Sequence, residues 1–80
     1  MPEPRHRKLS ELARASHVSV TEVRRYERAG ALLITDEQVV TEREVRRVRR
    51  VRRLRRDLGF ELDAIGIIVR LVERLEEQQS

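Results

Sequence analysis

Apolar positions in this chain fall into four helical stripes, separated by short polar or glycine-marked breaks. In LSELARA, Leu9, Leu12 and Ala13 share one face, and Ser10 reads as the N-cap. SHVS follows as a tight turn, with His17 where a left-handed backbone is tolerated better than by most residues. SVTEVRRYERAG opens with Ser19 three residues before Glu22, which is capping-box spacing. It closes with Gly30, where a helix-ending glycine belongs. Two short helices joined by a few residues predict a helix-turn-helix.

The register changes in ALLITDEQVV, residues 31–40. Two β-prone runs, LLIT and QVV, flank Asp36 and Glu37, which predicts a small hairpin. Thr41 and Glu44 then form a second capping box and launch an arginine-rich helix. Val45, Val48, Val51 and Leu54 recur every three residues, and Leu58 follows after four. Arg46, Arg49, Arg50, Arg53 and Arg56 take the opposite face, while Arg47, Arg52 and Arg55 flank the apolar stripe with their aliphatic stems. Gly59 ends the helix.

The last stripe, FELDAIGIIVRLVERLEEQQ, is apolar over more than half of its circumference. That is wider than one partner helix covers. Either this helix is central to the domain, or part of it waits for another chain, a second copy included. Helices are therefore expected near 10–15, 20–28, 42–58 and 62–78. Val45, Val48, Val51, Leu54, Leu58, Ile65, Ile68 and Val72 are expected to be largely buried. Residues 1–8 are polar, hold both prolines and read as a flexible leader before one domain over 9–80.

Composition sharpens this picture. Eighty residues suit one domain with a modest core. The chain has no cysteine, so disulfides and thiolate metal sites are excluded. No stretch approaches the roughly 18 apolar residues of a membrane span, and MPEPRHRKLSE has no apolar run of the signal-peptide kind. The expectation is a soluble cytoplasmic protein. The net charge of +4 is unevenly spread. Residues 41–58 hold nine bases against three acids, and residues 59–80 hold two bases against five acids. The chain is thus dipolar, with a basic segment followed by an acidic tail.

Candidate chemistry is sparse. His6 and His17 stand apart, the serines have no histidine and acid at a supporting spacing, and there is no glycine-rich phosphate loop. No catalysis, metal or cofactor is expected. Two surfaces remain. Arg24, Arg25 and Arg28 flank Tyr26 on the second helix, where a recognition helix presents side chains to the major groove or its phosphates. The arginine helix either clothes itself in solvated charge or meets an acidic protein or, weakly and without regard to sequence, nucleic acid or the ribosome.

These residues carry a resemblance. LSELARASHVSVTEVRRYERAGALL resembles the start of the MerR family through Leu12-Ala13, Val18-Ser19, Val23-Arg24, Tyr26-Glu27 and Gly30. The fold this implies is an all-α, MerR-like winged helix-turn-helix with a minimal β-hairpin wing and two longer C-terminal helices. The wing departs from the regulators, since it lacks their glycine and Arg-x-Tyr and carries Asp36 and Glu37 instead. No segment of these 80 residues corresponds to the regulators' long dimerisation helix. RLRRDLGFELDAIGIIVRLVERL, residues 53–75, is similar to the end of the MerR-like chaperone modulators of the CbpM and DafA type.

That second resemblance implies a non-enzymatic protein that binds the J-domain of a DnaJ-type co-chaperone and regulates its assembly with DnaK. The alternative it leaves open is a DNA-binding transcriptional regulator of the MerR, heat-shock-repressor-like kind. J-domains of that family present a basic helix to DnaK, so their captor needs an acidic, partly apolar face. The last helix offers one in Asp63, Glu73 and Glu77, with Arg70 and Arg74 interspersed and Ile67 and Leu71 beside them.

Overall fold

The computed structural model describes residues 3–79. Its elements are α1 (Pro4–Ser16), α2 (Val20–Arg28), α3 (Glu42–Arg56) and α4 (Leu62–Gln79). The described residues are all-helical and contain no strand.

The helix α1 starts earlier than its apolar stripe suggested. Pro4 occupies its first turn, where a fixed φ and a missing N–H cost nothing. The expected leader over residues 1–8 is therefore helical from Pro4 onwards; Met1 and Pro2 lie outside the described residues. Ser10 is interior to the helix, not its cap. The extra turn carries Lys8 onto the buried face with Leu9, Leu12, Ala13 and Ser16.

Local signals elsewhere are realised. His17 adopts φ 59°, and the Val18 N–H reaches back to the Ala13 carbonyl at 3.0 Å to close α1. The Ser19 hydroxyl accepts from the Glu22 N–H at 3.1 Å. At α3 the Thr41–Glu44 box is complete in both directions. Gly30, at φ 77°, lets the Ala31 N–H turn back to the Tyr26 carbonyl at 2.9 Å.

The core is formed by Leu9, Leu12, Ala13, Val23, Tyr26, Ala31, Leu32, Ile34, Val48, Val51, Ile65 and Val69. Of the expected interior residues, Val48, Val51 and Ile65 are fully buried. Val45, Leu54, Ile68 and Val72 are half-buried, and Leu58 is 63% exposed. Leu58 fails because α3 ends at Arg56, so its side chain leaves the stripe that would have carried it inward.

The hairpin expected over residues 31–40 does not form. The backbone groups a ladder would need are taken by side chains instead. The Thr35 N–H donates to Glu44 at 3.1 Å, the Thr35 carbonyl accepts from Lys8 at 2.8 Å, and the Leu33 carbonyl accepts from Arg47 at 3.3 Å. Ala31, Leu32 and Ile34 turn into the core, leaving Leu33 and Val39 outside.

One buried ion pair anchors this loop. Lys8 and Glu44 pair at 2.9 Å with side chains only 3% and 4% exposed. Burial alone would raise the Glu44 carboxyl. Donation from the Thr41 backbone, Lys8, the Thr35 backbone and the Thr41 hydroxyl outweighs it and holds the group below its ordinary value. A depressed folded pKa contributes stability above the unfolded value, and that stability is lost as pH falls through the folded one. Thermal unfolding followed from ~pH 6 to ~pH 3 should therefore show a fall in melting temperature below the ordinary glutamate range. The Glu44→Gln variant should start lower and fall less. Equal slopes for the two proteins would sink the assignment to Glu44.

Candidate functional site

The helix α4 crosses the domain on a glycine. A Cβ on Gly66 would lie 3.0 Å from the Gly30 carbonyl oxygen, tighter than ordinary packing, so any larger residue requires the turn after α2 to give by a few tenths of an ångström. That approach goes with the rotation that α4 adopts. Its Ile65, Gly66 and Val69 face inward.

The same rotation turns α4's glutamates towards α3. Arg47 pairs with Glu73 at 2.5 Å, Arg50 with Glu76 at 3.2 Å and Arg43 with Glu77 at 3.7 Å. The Arg47–Glu73 pair is the most sheltered, at 12% and 21% side-chain exposure, and it also donates through Arg47 Nε at 2.6 Å. Glu76 and Glu77 are much more exposed, and such pairs contribute little each. One flank of the arginine helix is thus neutralised from within.

The acidic face anticipated on the last helix is accordingly divided. Glu73 belongs to the α3–α4 seam and Glu77 reaches it while staying exposed, as do Asp63, Arg70 and Arg74. Arg70 lies over Gly30, its guanidinium 3.5 Å from where a Cβ would stand. Ile67 and Leu71 are exposed as expected, at 60% and 53%. Leu75, at 58%, continues their line at a spacing of four, so one edge of α4 is an uncovered apolar stripe.

The residues expected to read nucleic acid separate too. Arg24, Arg25 and Arg28 stand exposed on α2, with Arg24 Nη2 3.2 Å from His6 Nδ1. Tyr26 is 2% exposed and packs in the core, so it presents no ring to a groove. Its hydroxyl donates to the Glu22 carboxylate at 3.0 Å, and of the capping box expected at Ser19 only the bond from the Glu22 N–H to the Ser19 hydroxyl is formed. Burial, then the Glu22 hydrogen bond and charge, push the phenol up to about 12, against the opposing fields of Arg55 and Arg52.

Those two arginines mark a feature the sequence pattern did not show. Glu22, Arg25, Tyr26, Arg52, Arg55 and Arg56 line an open cleft of about 320 Å³ between α2 and α3. Spacing along α3 placed Arg56 on an outer face and Arg52 and Arg55 beside the stripe. Only the crossing of α2 brings them together with Arg25. Arg52 is tethered by donating to the His17 carbonyl at 3.1 Å.

No helix among the described residues is long and apolar enough to cross a membrane, and no three His, Asp or Glu side chains there gather into a group that holds a metal ion. Residues 7–71 match the family model described as MerR HTH family regulatory protein. No curated protein and no solved structure matches the chain.

Proposed function

The chain belongs to the MerR helix-turn-helix family, and from that premise we propose that it is a chaperone modulator, which binds the J-domain of a DnaJ-type co-chaperone and regulates its assembly with DnaK. The observation that carries this reading is the apolar stripe of Ile67, Leu71 and Leu75 along α4. In so small a domain, three large aliphatic side chains more than half exposed in one line suit a protein interface. Asp63, Arg70 and Arg74 supply a polar rim beside it. The contact is then led by apolar anchors, with rim charges setting association rate and salt dependence. Glu73 and Glu77 act on the partner only through the seam they hold with α3.

Two further features favour a protein partner over an operator. The segment where the regulators carry a wing has no strands here and exposes Asp36 and Glu37, which oppose phosphate. Tyr26 is withdrawn into the core.

A second reading, DNA binding by α2, is favoured by the exposure of Arg24, Arg25 and Arg28. One helix-turn-helix reads only one half-site. The expected contact is therefore weak, salt-sensitive and indifferent to sequence.

Titration calorimetry of the full chain with an isolated J-domain tests the first reading. The Ile67→Ser/Leu71→Ser double variant should bind at least about tenfold more weakly, with helicity and melting temperature close to the parent's because both side chains are exposed. Equal affinity for parent and variant would move the docking face away from α4. If the parent itself does not bind a J-domain, and instead forms a tight complex with an inverted-repeat operator that Arg24→Ala abolishes, the DNA reading replaces it.

A further inference from the structure

The arginines of α3 divide into two sets with opposite circumstances. Arg43, Arg47 and Arg50 each meet a glutamate of α4. Arg52, Arg55 and Arg56 face α2 and converge with Arg25 on the cleft beside Tyr26. The only acid lining that cleft is Glu22, and its carboxylate already accepts from the Tyr26 hydroxyl at 3.0 Å. Among the described residues no hydrogen bond or ion pair holds the Arg25, Arg55 or Arg56 guanidinium. Four guanidiniums against one carboxylate leave the cleft with a formal charge of +3.

Such a grouping repels itself unless an anion neutralises it, and nothing in the described chain does. Guanidinium forks match phosphate oxygens in pairs, and the charge-assisted bonds they form are stronger than neutral ones. The walls are also held in place. Tyr26 is buried, Arg52 is tethered to the turn at His17, and α3 is clamped from its other side by α4. The charge selects among phosphate ligands. A phosphodiester brings one negative charge per unit, whereas linked phosphates bring two or three into the same volume.

We propose that the α2–α3 cleft lined by Arg25, Arg52, Arg55 and Arg56 is a binding site for a di- or triphosphate group, free or carried on a nucleoside. The site is independent of the α4 stripe, so it stands or falls apart from the J-domain reading.

Calorimetry of the full chain with inorganic pyrophosphate, at constant ionic strength, provides the test. One saturable site is expected. The Arg55→Gln/Arg56→Gln variant should weaken it by about tenfold or more, because neither side chain is held by the fold. The Arg46→Gln/Arg53→Gln variant removes the same charge from outside the cleft and should change affinity by less than about twofold. ADP binding at least as tightly as pyrophosphate, with the same dependence on Arg55 and Arg56, identifies a nucleotide as the source; weaker ADP binding identifies the free anion. Equal losses in the two arginine pairs, or no saturable heat, overturn the site. Displacement of pyrophosphate by a short DNA duplex that shows the same Arg55 and Arg56 dependence also overturns it, because the cleft then holds a phosphodiester backbone.

Discussion

Lys8→Met should remove a large share of this protein's stability. The Lys8 ammonium is buried, and its three donors are all engaged, with the Thr35 carbonyl at 2.8 Å, the Thr35 hydroxyl at 2.9 Å and Glu44 at 2.9 Å. Methionine fills the stem but leaves the Glu44 carboxylate buried without its cation. Breaking a buried pair from one side costs about 3–5 kcal/mol. A domain of this length has roughly 4–12 kcal/mol in all. The loss also removes both Lys8 bonds to Thr35 in the 31–40 segment. Urea unfolding followed by circular dichroism reads the effect directly. Arg5→Met is the comparison, because the Arg5–Glu27 pair is 47% and 28% exposed and should be worth no more than about 1 kcal/mol. The Lys8→Met/Glu44→Gln double variant should recover part of the loss, since no charge is then stranded. If Lys8→Met costs no more than Arg5→Met, the pair is not the anchor described here.

Tyr26→Ala should cost about 3–5 kcal/mol, the usual penalty for emptying a buried aromatic position. Tyr26→Phe should cost only about 0.5–1.5 kcal/mol, the worth of the hydrogen bond to Glu22. This contrast separates a core residue from a surface reader of nucleic acid, whose truncation would change stability by less than about 0.5 kcal/mol. The two also differ in alkali. A phenol raised from 10 to about 12 contributes stability that is complete below pH 10 and is lost as pH rises towards 12. Tyr26→Phe should lessen that alkaline decline. A parent protein and a phenylalanine variant with the same profile above pH 10 would remove Tyr26 from the account.

Tyr26 also shows where reading by pattern stops. Its neighbours Arg24, Arg25 and Arg28 are exposed, as a short amphipathic helix predicts, and a tyrosine among them looks like one of their company. Its phase on α2 places it near Val23, and it is the packing of α1 and α3 against that side that buries both. The acidic residues of α4 likewise acquire neighbours that periodicity does not show. Asp63, Glu73 and Glu77 form a face on an isolated helix, yet two of them meet α3 once α4 is docked.

Features that depend on near neighbours along the chain were legible without the fold. Helix starts at Ser19 and Thr41, the left-handed turn at His17, the ending at Gly30 and the inward stripe of Val48 and Val51 all follow from hydrogen bonds and side-chain phase within one or two turns. Tertiary structure alone decided which charges meet. The separations between partners are 36 residues for Lys8 and Glu44, 26 for Arg47 and Glu73, and 27 from Arg25 to Arg52. Those encounters depend on crossing angles and on how deeply one helix sits on another; for α4, Gly66 sets no side chain against the Gly30 carbonyl. Periodicity along a chain fixes the phase of each helix about its own axis, but not which side of a neighbour it faces. The neutralised and the unneutralised arginines of α3 are therefore alike in sequence and become different only in the fold.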